Sequence, residues 1–134
     1  MPPDSVRAAP FLFIDRCARS RRLDDAPRQA EIPFIAHRER FAPACPDIEW
    51  LSVAGREGWI VITRDQAIRR KPNELQVFRD AKVILFALAS GNATAEDTAR
   101  LVVELYPRIL RKAAAATPPA MFSVTLAGGI NPVR

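Results

Sequence analysis

Short apolar runs separated by polar loops dominate the pattern of hydrophobic and polar positions along the chain. Runs of about four to eight apolar residues, bounded by turn residues, are typical of buried strands. They predict strands at Phe11–Ile14, Ile32–Ala36, Trp59–Thr63 and Val83–Leu88, and a last, alternating strand within "MFSVTLAG". Because the earlier runs are continuous rather than alternating, we expect both faces of their sheet to be buried.

Helical spacing of apolar residues, together with end signals, predicts the elements between these strands. Asp47 opens a helix that should end near Gly55 and Gly58. Thr94 should cap the longest helix, which Pro107 should kink. The predicted helices are Arg16–Leu23 with an extension to Asp25, the segment from Asp47, Pro72–Asp80 and the long segment from Thr94; residues 37–46 are predicted to form a loop.

This alternation of strands and helices indicates the fold class. It predicts an α/β protein, a three-layer α/β/α sandwich with a central, mainly parallel sheet. A chain of 134 residues is long enough for one core but not for two. We therefore expect a single domain over residues 1–134, with a core over about residues 11–112 and a C-terminal strand or tail at 113–134.

Acidic residues follow the predicted strands at the points where a binding crevice would form. Asp15 comes directly after the first strand, and Asp65 lies two residues beyond the strand that ends at Thr63. Asp47 opens one helix, and Glu74 lies in the first turn of another. In parallel α/β sheets, ligands bind beyond the carboxyl ends of the strands. Clustered carboxylates repel one another unless a cation neutralises them, and hard oxygen ligands suit Mg²⁺ or Mn²⁺.

Each acid also fits a structural role. Asp47, taken alone, is better explained as a helix cap, and Glu74 as a complement to the helix dipole. Asp15 and Asp65 fit turn positions or ion pairs with the arginine beside each of them. Glu49 would replace Asp47 in the site if the helix were rotated. The joint placement of Asp15 and Asp65 after apolar strands is therefore the stronger signal.

Composition and charge narrow the class of protein. The chain is 49 % hydrophobic, which argues against disorder. Its net charge is +5, and its basic residues are nearly all arginine, which suits binding to nucleic acid but also fits a biased genome composition. No apolar run approaches the ~20 residues of a membrane helix, and "MPPDSVRAAP" lacks a secretory apolar segment. We expect a cytoplasmic protein that does not associate with membranes.

Other chemistries lack their motifs. Two cysteines without CxxC spacing and a single histidine exclude a zinc finger. Neither GxGxxG nor GxxxxGK[ST] nor GxSxG occurs. Nothing fixes a nucleophilic geometry for Cys17 and His37, so we interpret both as structural. A receiver-like phospho-acceptor site would need an acid beside Asp15 and a lysine after a late strand, whereas Lys82 precedes its strand.

Several segments together resemble a known family. "FLFIDRC", "PDIEWLSVAGREGWIVITRD" and "KPNEL" followed by "VILFAL" are similar to PIN-like domains, in particular to bacterial VapC-type toxins. The similarity spans Phe11 to Leu88, and the helix from Thr94 fits its continuation. Two departures occur. The first acid is followed by Arg16 and Cys17 rather than by a hydroxyl residue, and Gln66 and Ala67 stand where a fourth acid often lies.

The resemblance implies a metal-dependent endoribonuclease, the toxin of a type II toxin–antitoxin pair, with Mg²⁺ or Mn²⁺ as cofactor. It also implies RNA and a cognate antitoxin protein as partners, and a possible homodimer. The implied metal ligands are Asp15, Asp47 and Asp65, with Glu74 as a further catalytic residue and Thr63 supporting Asp65 through a hydrogen bond. The candidate contacts to substrate phosphate are Arg16, Arg64 and Lys71. The alternative is a catalytically inactive PIN-like module that binds RNA or protein.

Overall fold

A single six-stranded sheet forms the centre of the molecule. The computed structural model describes residues 11–15, 32–42, 44–64, 70–88 and 95–133. In these residues the strands are β1 (Leu12–Ile14), β2 (Phe34–Ala36), β3 (Ile60–Thr63), β4 (Ile84–Leu88), β5 (Ala120–Val124) and β6 (Ile130–Val133). Their order across the sheet is β2-β1-β3-β4-β5-β6, and every pairing is parallel except that of β5 with β6.

Four described helices flank this sheet. They are α1 (His37–Arg40), α2 (Asp47–Glu57), α3 (Pro72–Asp80) and α4 (Ala95–Ala115). The predicted bounds of α3 match the structure, and the predicted start of α2 is correct. α4 continues through Pro107 as one helix. The helix predicted at Arg16–Leu23 and the cap predicted at Thr94 lie outside the described residues.

Side chains alternate in direction along the strands, so the apolar residues form two cores, one on each face of the sheet. Leu12, Ile14, Ile60 and Ile62 point to the face covered by α4, whose buried stripe includes Leu101, Leu105 and Ile109. Phe13, Val61 and Leu85 point to the other face, where they pack with Trp50 and Leu51 of α2 and with Phe78 of α3. The sheet is therefore buried on both faces, which confirms the predicted three-layer α/β/α architecture.

Two elements differ from the sequence-based expectation. The last predicted strand ends at Val124, and a turn through Gly128 returns the chain as the antiparallel edge strand β6. Residues 37–46 were predicted to be a loop, but they begin with the short helix α1. The Glu39 carboxylate accepts a 2.8 Å hydrogen bond from the backbone N–H of Ala36, which satisfies a free donor at the start of this helix.

Within the described part of the chain, no helix combines the length and apolar character needed to cross a membrane.

Candidate functional site

The strand order creates a topological switch point between β1 and β3. From β1 the chain moves outward to β2, then returns to β3 on the opposite side of β1 and continues to β4 and β5. The helical connections on either side of such a point diverge and leave a crevice beyond the carboxyl ends of the two strands. The candidate site is therefore expected at the ends of β1 and β3.

Asp15 occupies the β1 side of this crevice. Its backbone N–H donates a 3.0 Å hydrogen bond to the Ile62 carbonyl, so the pairing of β1 with β3 extends as far as the acid. Its side chain is only 2 % exposed. The Thr63 hydroxyl donates a 2.9 Å hydrogen bond to its Oδ2. Asp65, which Thr63 was predicted to support, lies outside the described residues; among the described residues the Thr63 hydroxyl contacts Asp15, across the switch point.

Asp47 reaches the same edge because of the direction of α2. This helix leads through Gly58 directly into β3 at Ile60, so it runs antiparallel to β3 and begins at the carboxyl edge. Asp47 lies in its first turn and is half-buried. The Trp50 indole N–H donates a 2.9 Å hydrogen bond to its Oδ1. Sequence reasoning did not assign this role to Trp50, although the Asp-x-x-Trp spacing places the two side chains one helical turn apart.

Glu74 is placed at this edge by the same geometry. α3 leads into β4, so its first turn also lies at the carboxyl edge, and α3 packs beside α2. Glu74 Oε1 lies 3.8 Å from Lys71 Nζ, an ion pair longer than a hydrogen bond. Lys71 was predicted to contact phosphate, and in the structure it neighbours the acid. Arg64 follows the end of β3, and its Nε is buried.

Asp15, Asp47 and Glu74 thus lie at the same edge of the sheet, but they do not form a compact ligand cluster. Among the residues that the structure describes, no three His, Cys, Asp or Glu side chains are grouped closely enough to hold a metal ion. Asp65 and Arg16 lie outside the described residues.

His37 was interpreted as structural, and its environment in the fold agrees with that interpretation. It is 1 % exposed, and its ring centroid lies 6.1 Å from that of Phe13 and 5.6 Å from that of Phe41. Cys17, the other residue considered with it as a nucleophile pair, lies outside the described residues.

Similarity to known proteins is found at the level of a family model. A family model described as a PIN-like domain matches residues 10–90. No curated protein and no solved structure matches the chain. The matched segment contains β1 to β4 together with Asp15, Asp47 and Glu74, so it covers both sides of the switch point. Because the match extends over more than half of the chain, this protein belongs to the family of PIN-like domains.

Proposed function

We propose that this protein is a metal-dependent endoribonuclease that hydrolyses RNA phosphodiesters. The observation that carries the proposal is the buried Asp15 carboxylate at the β1–β3 switch point, held by Thr63 across the crevice. The first turns of α2 and α3 direct Asp47 and Glu74 to the same edge. The PIN-like fold is of nuclease type, which supports chemistry on nucleic acid at this edge.

The donor set at this edge suits Mg²⁺ or Mn²⁺, because it consists of carboxylate oxygens, the hard ligands that these ions prefer. Asp15, Asp47 and Asp65 would hold the ion. When bound, the ion would supply a Lewis acid that neutralises the phosphodiester and activates an attacking water. Glu74 would be a further ligand or would orient that water.

Basic residues beside the acids would bind the RNA backbone. Arg64 follows β3 directly, Lys71 precedes α3, and Arg16 follows Asp15 in sequence. A guanidinium group can contact a phosphate through two parallel hydrogen bonds. With a net charge of +5, the chain also favours association with a polyanion.

Within this proposed function, we assign the protein more specifically as the toxin of a type II toxin–antitoxin pair. It would act in the cytoplasm and be silenced by a cognate antitoxin protein. This assignment is supported by the resemblance of the "PDIEWLSVAGREGWIVITRD" segment to VapC-type toxins. A neighbouring or overlapping small open reading frame would support this assignment, and its absence would count against it.

The test of the proposed chemistry is cleavage of a labelled single-stranded RNA by the purified protein, followed on gels. We expect cleavage with Mg²⁺ or Mn²⁺, none with EDTA, and none by Asp65→Asn, since a neutral amide is a poor ligand for a hard cation. Cleavage by Asp65→Asn that resists EDTA would indicate a different mechanism or a contaminating nuclease.

One observation favours a second candidate, a catalytically inactive PIN-like module that binds RNA or protein. The first acid is followed by Arg16 and Cys17 rather than by a hydroxyl residue, and Gln66 and Ala67 stand where a fourth acid often lies in PIN-like domains. This candidate predicts that the wild-type protein binds the labelled RNA, with or without metal, and leaves it uncut.

A further inference from the structure

Trp50 links the acid of α2 to the aromatic core beneath the candidate site. Its side chain is fully buried, and its indole N–H donates to Asp47 Oδ1 at 2.9 Å. Helical side chains lean towards the amino end of their helix, so a residue in the second turn covers the first turn. The indole therefore reaches the acid without strain while its ring system stays in the core.

The ring of Trp50 is itself held in place by β1. Its centroid lies 5.3 Å from that of Phe13, two residues before Asp15 on the same face of that strand. Phe41 also contacts Phe13, edge-on, with the ring centroids 5.7 Å apart. The donor that contacts Asp47 is thus fixed to the strand that carries Asp15, which makes the relative placement of the two acids depend on Trp50.

We propose that Trp50 is a positioning residue for Asp47, an inference that rests on the proposed metal-dependent function. The indole N–H donates to Oδ1 of Asp47 and so fixes the direction in which this carboxylate can coordinate an ion. The Thr63 hydroxyl fixes Asp15 in a similar way, by donating a hydrogen bond to one of its two carboxylate oxygens. Both donors are neutral and fully buried, so each holds its acid in one orientation without adding a positive charge of its own.

If Trp50 served only to pack the core, its replacement would lower stability without changing metal affinity. Trp59 provides the matched control for this alternative. Its ring also lies 5.3 Å from Phe13, and it is 7 % exposed. It precedes β3, at the opposite end of that strand from Asp15, and its backbone N–H donates to Ala54. A change from tryptophan to phenylalanine thus removes similar core contacts at either position. Only at Trp50 does it also remove an indole N–H that donates to an acid.

The first experiment measures Mn²⁺ affinity by calorimetry for the wild type, Trp50→Phe and Trp59→Phe, with thermal melts of each. We expect Trp50→Phe to weaken Mn²⁺ binding about 10- to 100-fold, as losses of outer hydrogen bonds to ligands commonly do. Trp59→Phe should lower the melting temperature but keep the wild-type affinity. Equal affinities in the two variants would overturn the inference.

A second measurement does not require Trp50→Phe to fold. In Trp59→Phe, Trp50 is the remaining tryptophan, since the chain has only two. Mg²⁺ is suitable for this titration because it is not paramagnetic and does not quench fluorescence. We expect Mg²⁺ to shift the emission of Trp50, with the same midpoint as the binding measured by calorimetry. An emission unchanged at saturating Mg²⁺ would overturn the inference.

The two levels of the proposal fail in different ways. If the wild type binds neither Mn²⁺ nor Mg²⁺, the metal-dependent function fails and the role of Trp50 fails with it. If the wild type binds metal and Trp50→Phe binds it equally well, only the role of Trp50 fails.

Discussion

Thr63 and Asp15 lie 48 positions apart in the sequence and are joined by a 2.9 Å hydrogen bond between two fully buried side chains. The register of β1 and β3 explains the contact. Ile14 pairs with Ile62, so the next residues, Asp15 and Thr63, face each other at the strand ends. A buried carboxylate without such a donor would carry a large desolvation cost. This contact therefore stabilises both the sheet and the ionised acid.

Replacement of Thr63 by valine tests how much this hydrogen bond stabilises the protein, since valine keeps the shape of the threonine side chain and removes its hydroxyl donor. We expect Thr63→Val to lower the free energy of unfolding by about 1.5–3 kcal/mol, the range for a hydrogen bond to a charged group. Urea unfolding monitored by circular dichroism measures the change. Thr63→Ser, which keeps the hydroxyl and loses one methyl group, should cost only about 1 kcal/mol. A serine variant as unstable as the valine variant would show that packing, not the hydrogen bond, matters at this position.

Replacement of Asp15 by asparagine separates the metal role of this acid from its structural role. The amide oxygen can still accept from Thr63, and the lost negative charge relieves repulsion among neighbouring acids when no metal is present. We expect Asp15→Asn to abolish Mn²⁺ binding and RNA cleavage while its metal-free melting temperature stays at or above that of the wild type. Asp80→Asn changes the same charge at an exposed position of α3 and should alter neither property. Metal binding retained by Asp15→Asn would remove this acid from the proposed site.

The sheet could be predicted in most of its detail because its central strands are continuous apolar runs. β6 could not, because "INPV" carries two exposed residues, one of them a proline, and has no apolar pattern of its own. Its position depends on the turn around Gly128 and on pairing with β5. α1 was missed for a related reason: four residues are too few for a periodic pattern, and Glu39 stabilises their start locally.

The position of Asp15 and Asp47 at the carboxyl edge of the sheet could be predicted from the sequence, but their hydrogen-bond partners could not. Asp15 and Asp47 were identified because strand ends and helix starts are visible in the pattern. Thr63 was identified as a supporting residue, but its observed partner follows from the register of two distant strands. Trp50 was missed because a buried tryptophan on a helix face is explained by packing alone, and its indole donor becomes informative only beside Asp47.

Gly55 should be intolerant of any side chain, because Ala81, the residue that follows α3, lies directly against α2 there. A methyl group at this position would overlap the carbonyl oxygen and the side chain of Ala81. We expect Gly55→Ala to destabilise the protein by about 1–3 kcal/mol despite the better helix propensity of alanine, since the backbone must move apart. Thermal melts provide the measurement. Ser52→Ala, at an exposed position of the same helix, should be neutral or slightly stabilising; equal stability of both variants would contradict the close approach.

Arg64 should contribute to RNA binding rather than to the chemical step. It follows β3 at the carboxyl edge, whereas Arg56 lies in the last turn of α2, at the opposite edge, with a side chain that is 69 % exposed. Each lost phosphate contact should reduce the slope of log affinity against log salt by about 0.7 for a single strand. We expect Arg64→Ala to show this shallower slope, weaker binding and residual metal-dependent cleavage, and Arg56→Ala to behave as the wild type. Fluorescence anisotropy with a labelled RNA over a range of salt concentrations measures both slopes. If the two variants lost the same RNA affinity and the same salt dependence, the chain would bind RNA through its overall charge rather than at the carboxyl edge of the sheet.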